Sequence, residues 1–194
     1  MAKRKPQRRR SASSSNSVSV RRGTDGKSWI LVHPREVRDR AEDLEEVAAM
    51  IEAGELEVAL DELRWLLSDC AECIAAHVML GDLAKEMGDT PLARGHYGTG
   101  YQLGLQALRR EKMPKPLLYS QPANQPFFLA GRGLVWSLEK LGKPKLAEEV
   151  VTALCDLDPN DPLTLKAMLD EMRSGGAPIV NLMPLLPKRD DNPT

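Results

Sequence analysis

The sequence predicts an all-α fold in which helical hairpins stack into a solenoid, and two observations support this prediction. Residue types repeat at an offset of 34, in the pairs Gly54 and Gly88, Ala59 and Ala93, and Leu63 and Tyr97. The same order returns 54 residues later, or 34 plus an insertion of 20, at Gly142, Ala147 and Val151. Aromatic residues make up only 4% of the chain, which suits packing between Ala- and Leu-rich helices better than a β-sandwich. A helical repeat of about 34 residues is typical of stacked hairpins, which usually bind partners rather than catalyse reactions.

Charge is distributed very unevenly along the 194 residues. The formal net charge is -1, from 27 basic and 28 acidic residues. Residues 1–27 hold nine Lys or Arg against one acid, Asp25, so the remainder holds 18 basic and 27 acidic residues. The N-terminal segment therefore carries about +8 and the rest of the chain about -9.

Targeting features and cysteine usage favour a cytoplasmic location. The chain has no run of about 18 apolar residues, so no membrane-spanning helix is expected. Its basic start is followed by a polar, Ser-rich stretch at residues 11–19 rather than by an apolar segment, which argues against a secretory signal. Three cysteines do not make a disulfide framework.

Residues 1–33 are predicted to form a disordered basic arm. Residues 1–27 combine basic clusters with Ser, Asn and Gly and cannot bury a core, and residues 29–32 add a short apolar patch. The helical domain is predicted to cover residues 34–173, beginning at Pro34, a residue that suits the first turn of a helix. Residues 174–194 are predicted to form a disordered C-terminal tail.

Helical periodicity begins at Arg35, where apolar residues recur at steps of three and four as far as Ile51. Gly54 ends this helix, because glycine accepts the left-handed conformation that often follows a helix. Residues 56–67 form the second predicted helix. The third runs from about residue 71 to residue 87, where Gly88 closes it.

The fourth predicted helix, from Asp89 or Thr90 to about Arg110, is unusually rich in glycine. Its interior contains Gly95, Gly98, Gly100 and Gly104. Each interior glycine costs about 1 kcal/mol relative to alanine, so four of them suggest that a neighbouring backbone packs very closely. A broken or shortened helix is the alternative.

A proline-rich insertion, residues 111–127, separates this helix from the next and contains four prolines. Prolines at this density stop helices and strands alike. Tyr119 and Asn124 are candidate binding residues, because a long structureless loop in a compact domain is usually functional or disordered. With only three repeats the insertion could instead fold back and cover the binding groove, and we favour that covering role.

Helical periodicity then resumes from about Phe128 to Leu141 and is closed by Gly142. Residues 145–157 form the next predicted helix. The two prolines in residues 158–162 are predicted to end this helix and to begin another. A last helix is predicted at residues 162–172. The tail beyond it has one apolar stretch, residues 179–186.

These residues resemble the tetratricopeptide repeat family, whose repeat of 34 residues comprises two helices. The middle repeat, residues 74–107, carries the pattern at Leu80, Gly81, Gly88, Ala93, Tyr97 and Gly100. The third, residues 128–161, carries it at Leu134, Gly142, Ala147, Val151 and Pro159, with Val135 in place of a glycine. The first, residues 40–73, keeps Gly54, Ala59 and Leu63 but has Asp43 and Glu46 at normally apolar positions.

The resemblance implies a noncatalytic adaptor or assembly factor that binds a peptide or protein on the concave face of a superhelix. The concave positions implied by the family registration are Val78, Asp82 and Lys85, followed by Arg132, Trp136 and Lys140. One subfamily clamps C-terminal carboxylates there with lysine and asparagine. The corresponding positions hold Leu44, Ala48, Met79, Leu129 and Gly133, so that clamp is absent.

Catalytic and metal-binding motifs are not found in the sequence. The three histidines belong to no nucleophile motif, and no phosphate loop is present, so we expect no enzyme. Cys70, Cys73 and His77 could be metal ligands, but a structural zinc site normally needs four. We interpret them as small buried residues and expect no metal or other cofactor.

The arm supplies an alternative function, because its cationic residues could bind nucleic acid or another polyanion by counterion release. These residues are Lys3, Arg4, Lys5, Arg8, Arg9 and Arg10. In that case the repeats would recruit a protein. The arm could also dock on the protein's own acidic body, or the chain could regulate an enzyme encoded separately. The sequence predicts neither the identity of the partner nor the oligomeric state.

Overall fold

The computed structural model describes residues 17–174, most of which lie in α-helices. The cationic residues between Lys3 and Arg10, and the tail beyond residue 174, lie outside this range. The prediction of an all-α class is confirmed for the described residues, whose sheet has only two strands. The helices are α1 (Arg35–Asp39), α2 (Ala41–Glu52), α3 (Leu56–Asp69), α4 (Ile74–Glu86), α5 (Thr90–Arg110), α6 (Gln125–Lys140), α7 (Pro144–Leu157) and α8 (Leu165–Ser174).

An antiparallel β-hairpin precedes the helices, so the prediction of disorder through residue 33 is wrong for residues 19–32. Strand β1 (Ser19–Arg22) pairs with β2 (Trp29–Val32). The turn between them is closed by the Asp25 carboxylate, which accepts hydrogen bonds from the backbone N–H groups of Lys27 and Ser28, both at 2.9 Å. Those bonds, together with one from the Ser28 hydroxyl, lower the pKa of Asp25. The basic composition of this segment gave no sign of strands, although Asp25 is a residue that favours turns through its side-chain hydrogen bonds.

Successive helices pack against each other in hairpins: α2 with α3, α4 with α5, and α6 with α7. Gly54, Gly88 and Gly142 stand at the three turns with φ of 81°, 77° and 67°, the left-handed conformation that glycine adopts without a steric penalty. Helix α4 also contacts α6, and α8 packs on α7. Ala59, Ala93 and Ala147 have no exposed surface, which allows close approach within each hairpin.

The buried apolar residues form two clusters. One joins α4 to α8 with the β-hairpin and includes Leu31, Phe127 and Leu154. The other joins α1 to α4 and includes Val47, Leu63 and Leu83. Among the helices at residues 17–174, none is long and apolar enough to cross a membrane.

Helix α5 is continuous over its 21 residues, so the alternative of a broken helix is wrong. A Cβ atom on Gly104 would lie 2.3 Å from a ring carbon of Phe127, and one on Gly100 would lie 3.2 Å from the Cβ of Ala130. Both neighbours belong to α6, so these two glycines allow the close packing that the sequence suggested. Gly95 and Gly98 are different, because a Cβ atom would meet nothing within 4 Å at Gly95 and only a Leu134 methyl group, at 3.8 Å, at Gly98.

The ring of Tyr97 occupies the space between α4 and α6. A Cβ atom on Gly81 of α4 would lie 2.6 Å from that ring, and one on Gly133 of α6 would lie 2.4 Å from it. The Tyr97 hydroxyl donates a hydrogen bond of 2.6 Å to Oδ1 of Asp82. Burial, followed by this bond, raises the pKa of Tyr97 far above its usual value. Two glycines on different helices thus make room for one aromatic ring.

We expect Gly133→Ala to destabilise the fold by about 1–3 kcal/mol, since the added methyl group would overlap the Tyr97 ring. Urea unfolding followed by circular dichroism measures the change. Gly95→Ala is the matched control, because no described atom lies within 4 Å of the position that its methyl group would take, and alanine favours a helix over glycine. Equal stability of the two variants would contradict this role for Gly133.

Candidate functional site

Asp82, Lys85, Arg132, Trp136 and Lys140 are the residues predicted to bind a partner, and they lie on two helices in mutual contact. The first two belong to α4 and the other three to α6. The Lys85 ammonium lies 5.0 Å from the centre of the Trp136 ring, in cation–π geometry. Asp82 is exposed and accepts the hydrogen bond from Tyr97.

Arg132 has an electrostatic effect on a residue next to this group, whereas Lys140 has no described contact with it. The charge of Arg132 lowers the pKa of the Tyr97 phenol, opposing the larger effects of burial and Asp82. Lys140 is exposed at the last residue of α6, and no described hydrogen bond or ion pair joins it to the others. The structure therefore brings Asp82, Lys85 and Trp136 together, and Arg132 lies about one turn before Trp136 on α6.

A pocket of about 360 Å³ adjoins Lys85 and lies between α2 and α4. Its charged lining consists of Glu52, Asp82, Lys85 and Glu86, and its apolar lining consists of Ala48, Ile51, Met79 and Leu83. Three carboxylates against one lysine make the pocket electronegative. We call this pocket, together with Trp136, the α4 surface.

Sequence reasoning placed Ala48 of α2 at a clamp position of the partner-binding face but missed Ile51 and Glu52, which also line the α4 surface. Glu52 and Ile51 come from the last turn of α2, in the repeat that has Asp43 and Glu46 at normally apolar positions and so departs from the family register. Val47 is the one fully buried residue of α2, with no exposed surface, and it marks the face that packs inward. Had Val47 been taken as the residue of α2 that faces the core, the sequence would have given the orientation of this helix.

Asn124 was a candidate binding residue, but its side chain is fully buried and bonded to the protein's own backbone. Its Oδ1 accepts a hydrogen bond of 2.8 Å from the Leu31 N–H. Its Nδ2 donates to the carbonyl oxygens of Trp29 at 3.1 Å and Leu118 at 2.9 Å. Asn124 therefore holds the β-hairpin to the insertion and is not available to a ligand.

The rest of the insertion is also occupied by contacts within the protein. The Trp29 N–H donates to the carbonyl oxygen of Pro116, and the Leu117 N–H donates to that of Leu157, both at 2.9 Å. At Tyr119, the second candidate of the insertion, the backbone N–H donates to Asp158 and the ring meets Phe128 edge-on, with centroids 6.0 Å apart. These contacts join the β-hairpin to the ends of α6 and α7.

The predicted covering of the binding groove by the insertion is not what the structure shows. Asn124 stands immediately before the first residue of α6, whereas Trp136 lies twelve residues after Asn124, or about 18 Å along the helix at 1.5 Å per residue. The insertion therefore packs at the end of α6 away from the α4 surface.

Cys70, Cys73 and His77 do not assemble into a metal centre. Nowhere between residues 17 and 174 do three His, Cys, Asp or Glu side chains come together as metal ligands. Nε2 of His77 lies 3.1 Å from the Ala71 carbonyl oxygen, and Nδ1 lies 3.5 Å from Nδ1 of His96. Burial lowers the pKa of both histidines and raises that of the Cys73 thiol, so burial favours the neutral form of all three groups.

Four exposed arginines lie on two elements that contact each other, β1 and the end of α5, and we call this set the basic surface. Arg21 and Arg22 are exposed on β1, and the Arg22 guanidinium lies 5.2 Å from the centre of the Trp29 ring. Arg110, in the last turn of α5, donates a hydrogen bond of 3.4 Å to the carbonyl oxygen of Val18. Arg109 precedes it and is also exposed.

Comparison of the chain with models of protein families, with curated proteins and with solved structures finds no match. Its function must therefore be inferred from its own residues.

We expect Asn124→Leu to loosen the β-hairpin and destabilise the protein by about 2–4 kcal/mol, because it removes three hydrogen bonds and leaves buried backbone groups without partners. Urea unfolding measures the decrease in stability, and backbone hydrogen exchange at residues 19–32 locates it. Asn160→Leu, at an exposed position, is the control. Exchange in the hairpin as slow as in the unmodified protein would contradict the role given to Asn124.

Proposed function

We propose that this chain is a noncatalytic protein-binding module of the tetratricopeptide type, acting as an adaptor or assembly factor. The observation that carries the proposal is the contact between Lys85 and Trp136 beside the electronegative pocket. Two residues that the repeat registration assigns to the partner-binding face, on different repeats, come together there.

The repeat assignment rests on agreement between spacing and geometry. Residues separated by 34 occupy equivalent environments: Gly54 and Gly88 adopt positive φ at turns, and Ala59 and Ala93 are fully buried inside hairpins. A stack of hairpins buries one face of each helix pair and leaves a continuous surface for a partner. The α4 surface is formed by the first helices of three successive pairs, α2, α4 and α6.

The chemistry of the α4 surface favours a partner segment with a basic residue next to an apolar one. Glu52, Asp82 and Glu86 would pair with a cationic side chain, while Met79 and Ile51 offer apolar contact. Trp136 supplies the large amphipathic ring that interface hot spots often use. The Lys85 ammonium lies 5.0 Å from the centre of that ring.

The test first captures the partner from native lysate with the unmodified protein. The affinity of that partner is then measured for the unmodified protein and for the double variant Trp136→Ala with Arg132→Ala. We expect the dissociation constant for that partner to rise at least tenfold, which corresponds to about 1.4 kcal/mol. Both side chains keep exposed surface, but Trp136 also packs against the core cluster of α4 to α8, so the thermal stability of the double variant is measured beside its affinity.

Trp65→Ala is the matched control, since Trp65 is 48% exposed on α3 and also lies against a cation, Arg40. A double variant that binds as tightly as the control would reject the proposal. A large fall in thermal stability would instead assign Trp136 to the core.

The second candidate function is binding of a polyanion such as nucleic acid, and the basic surface favours it. Strand β1, which carries Arg21 and Arg22, contacts α5, whose last residues are Arg109 and Arg110. The predicted cationic residues 3–10 precede this hairpin in the sequence. The arm would then extend a cationic surface that is held on the body. Affinity would come from phosphate contacts, without sequence readout.

We expect Arg21→Ala with Arg22→Ala to weaken retention on heparin or single-stranded nucleic acid. The slope of log affinity against log salt concentration should fall by about 0.7–0.9 for each phosphate that the variant no longer neutralises. Lys143→Ala with Lys145→Ala is the control, because it removes the same charge at exposed positions next to Gly142, away from the hairpin. Deleting residues 1–16 tests the arm and leaves β1 intact. Retention unchanged in all three variants would reject this candidate.

A further inference from the structure

A further groove lined by described residues lies between α5 and α7 and shares Arg109 with the basic surface. Its volume is about 860 Å³. The base of the groove includes Leu134 and Leu138 of α6, and Leu146 and Val150 of α7 line one wall. The other wall is α5, including Gly95 and Gly98. Leu146 is 47% exposed, so the structure leaves a large apolar side chain at the rim.

Gly95 and Gly98 have no packing role within the described residues. A side chain at Gly95 would meet no atom within 4 Å, unlike one at Gly100 or Gly104. Each glycine weakens a helix relative to alanine, so two glycines facing an open groove need another explanation. A segment that approaches α5 closely at this point would explain both.

The end of α8 at Ser174 gives the starting point of the C-terminal tail. Arg173, one residue from the end of α8, pairs with Glu148 of α7 at 2.8 Å. Glu149, the next residue of α7, lines the groove. The chain therefore leaves α8 beside the first half of α7, close to the end of the groove at Leu146.

We propose that residues 179–186 of the same molecule occupy this groove. That segment supplies six apolar side chains in eight positions: Ile179, Val180, Leu182, Met183, Leu185 and Leu186. Residues 175–178 separate it from Ser174, and five chain steps reach up to about 17 Å, enough to pass around the end of a helix about 10 Å wide.

The length of the segment also fits the groove. The groove follows α5 from Arg94 to Arg109, or about 22 Å at 1.5 Å per residue. Eight residues span at most about 26–29 Å. The segment would bury its apolar residues against Leu134, Leu138 and Val150, and its backbone would approach α5 at the two glycines.

The experiment uses the full chain with its three cysteines changed to alanine and one new pair, Gln102→Cys on the groove rim and Asn181→Cys in the tail. Mild oxidation at low micromolar concentration is followed by non-reducing electrophoresis and mass spectrometry. We expect an intramolecular disulfide that forms at least tenfold faster than in the matched pair Glu62→Cys and Asn181→Cys, whose body cysteine lies on α3.

Two further changes, each added to the Gln102 pair, make the result specific. Gly95→Leu places a side chain in the groove without meeting the body, and Leu182→Asp with Leu185→Asp removes apolar groups from the tail, so each should lower the rate to that of the control pair. Equal rates for the two pairs, or no effect of either added change, would overturn the proposal. A disulfide-linked dimer would also overturn it, by assigning the groove to the tail of a second copy.

Discussion

The ring of Tyr97 is the constraint on which the middle of the molecule depends. It fills the gap between α4 and α6 only because Gly81 and Gly133 have no side chains there, and its hydroxyl is fixed by Asp82. The ring sets the distance between those helices, and that distance places Lys85 against Trp136. A packing requirement deep in the core therefore determines which groups meet at the α4 surface.

A second organising contact joins the β-hairpin to the helices. Asn124 replaces the backbone partners that the edge of β2 would otherwise lack, and Pro116 and Leu117 extend the same attachment. The hairpin is too short to be stable alone, since two strands rarely are. The role of the proline-rich insertion is thus to hold the β-hairpin against the helices.

Much of the fold could be predicted because the residues that recur at the 34-residue offset determine local structure. Glycine at each turn and alanine inside each hairpin follow from backbone conformation and size, so most helices lie within a few residues of their predicted bounds. The exception is the first predicted helix, which is divided at Arg40 into α1 and α2. The contacts of Asn124 could not be predicted in this way, because its partners lie 93 and 95 residues away and no periodicity links them. On the α4 surface, Asp82, Lys85 and Trp136 could be chosen from repeat registration. Glu52 and Ile51 could not, since the first repeat departs from the pattern.

The attachment through Asn124 also has a consequence for the order in which the chain folds. Leu31 is made early, but the side chain that receives its N–H belongs to residue 124, so the hairpin lacks its anchor until well over half of the protein has been synthesised. Contacts between such distant residues form late, after the local helical pairs. The bonds from β2 to Asn124 therefore form late, whereas Val18, just before β1, already has a partner in Arg110 once the second helical pair is made.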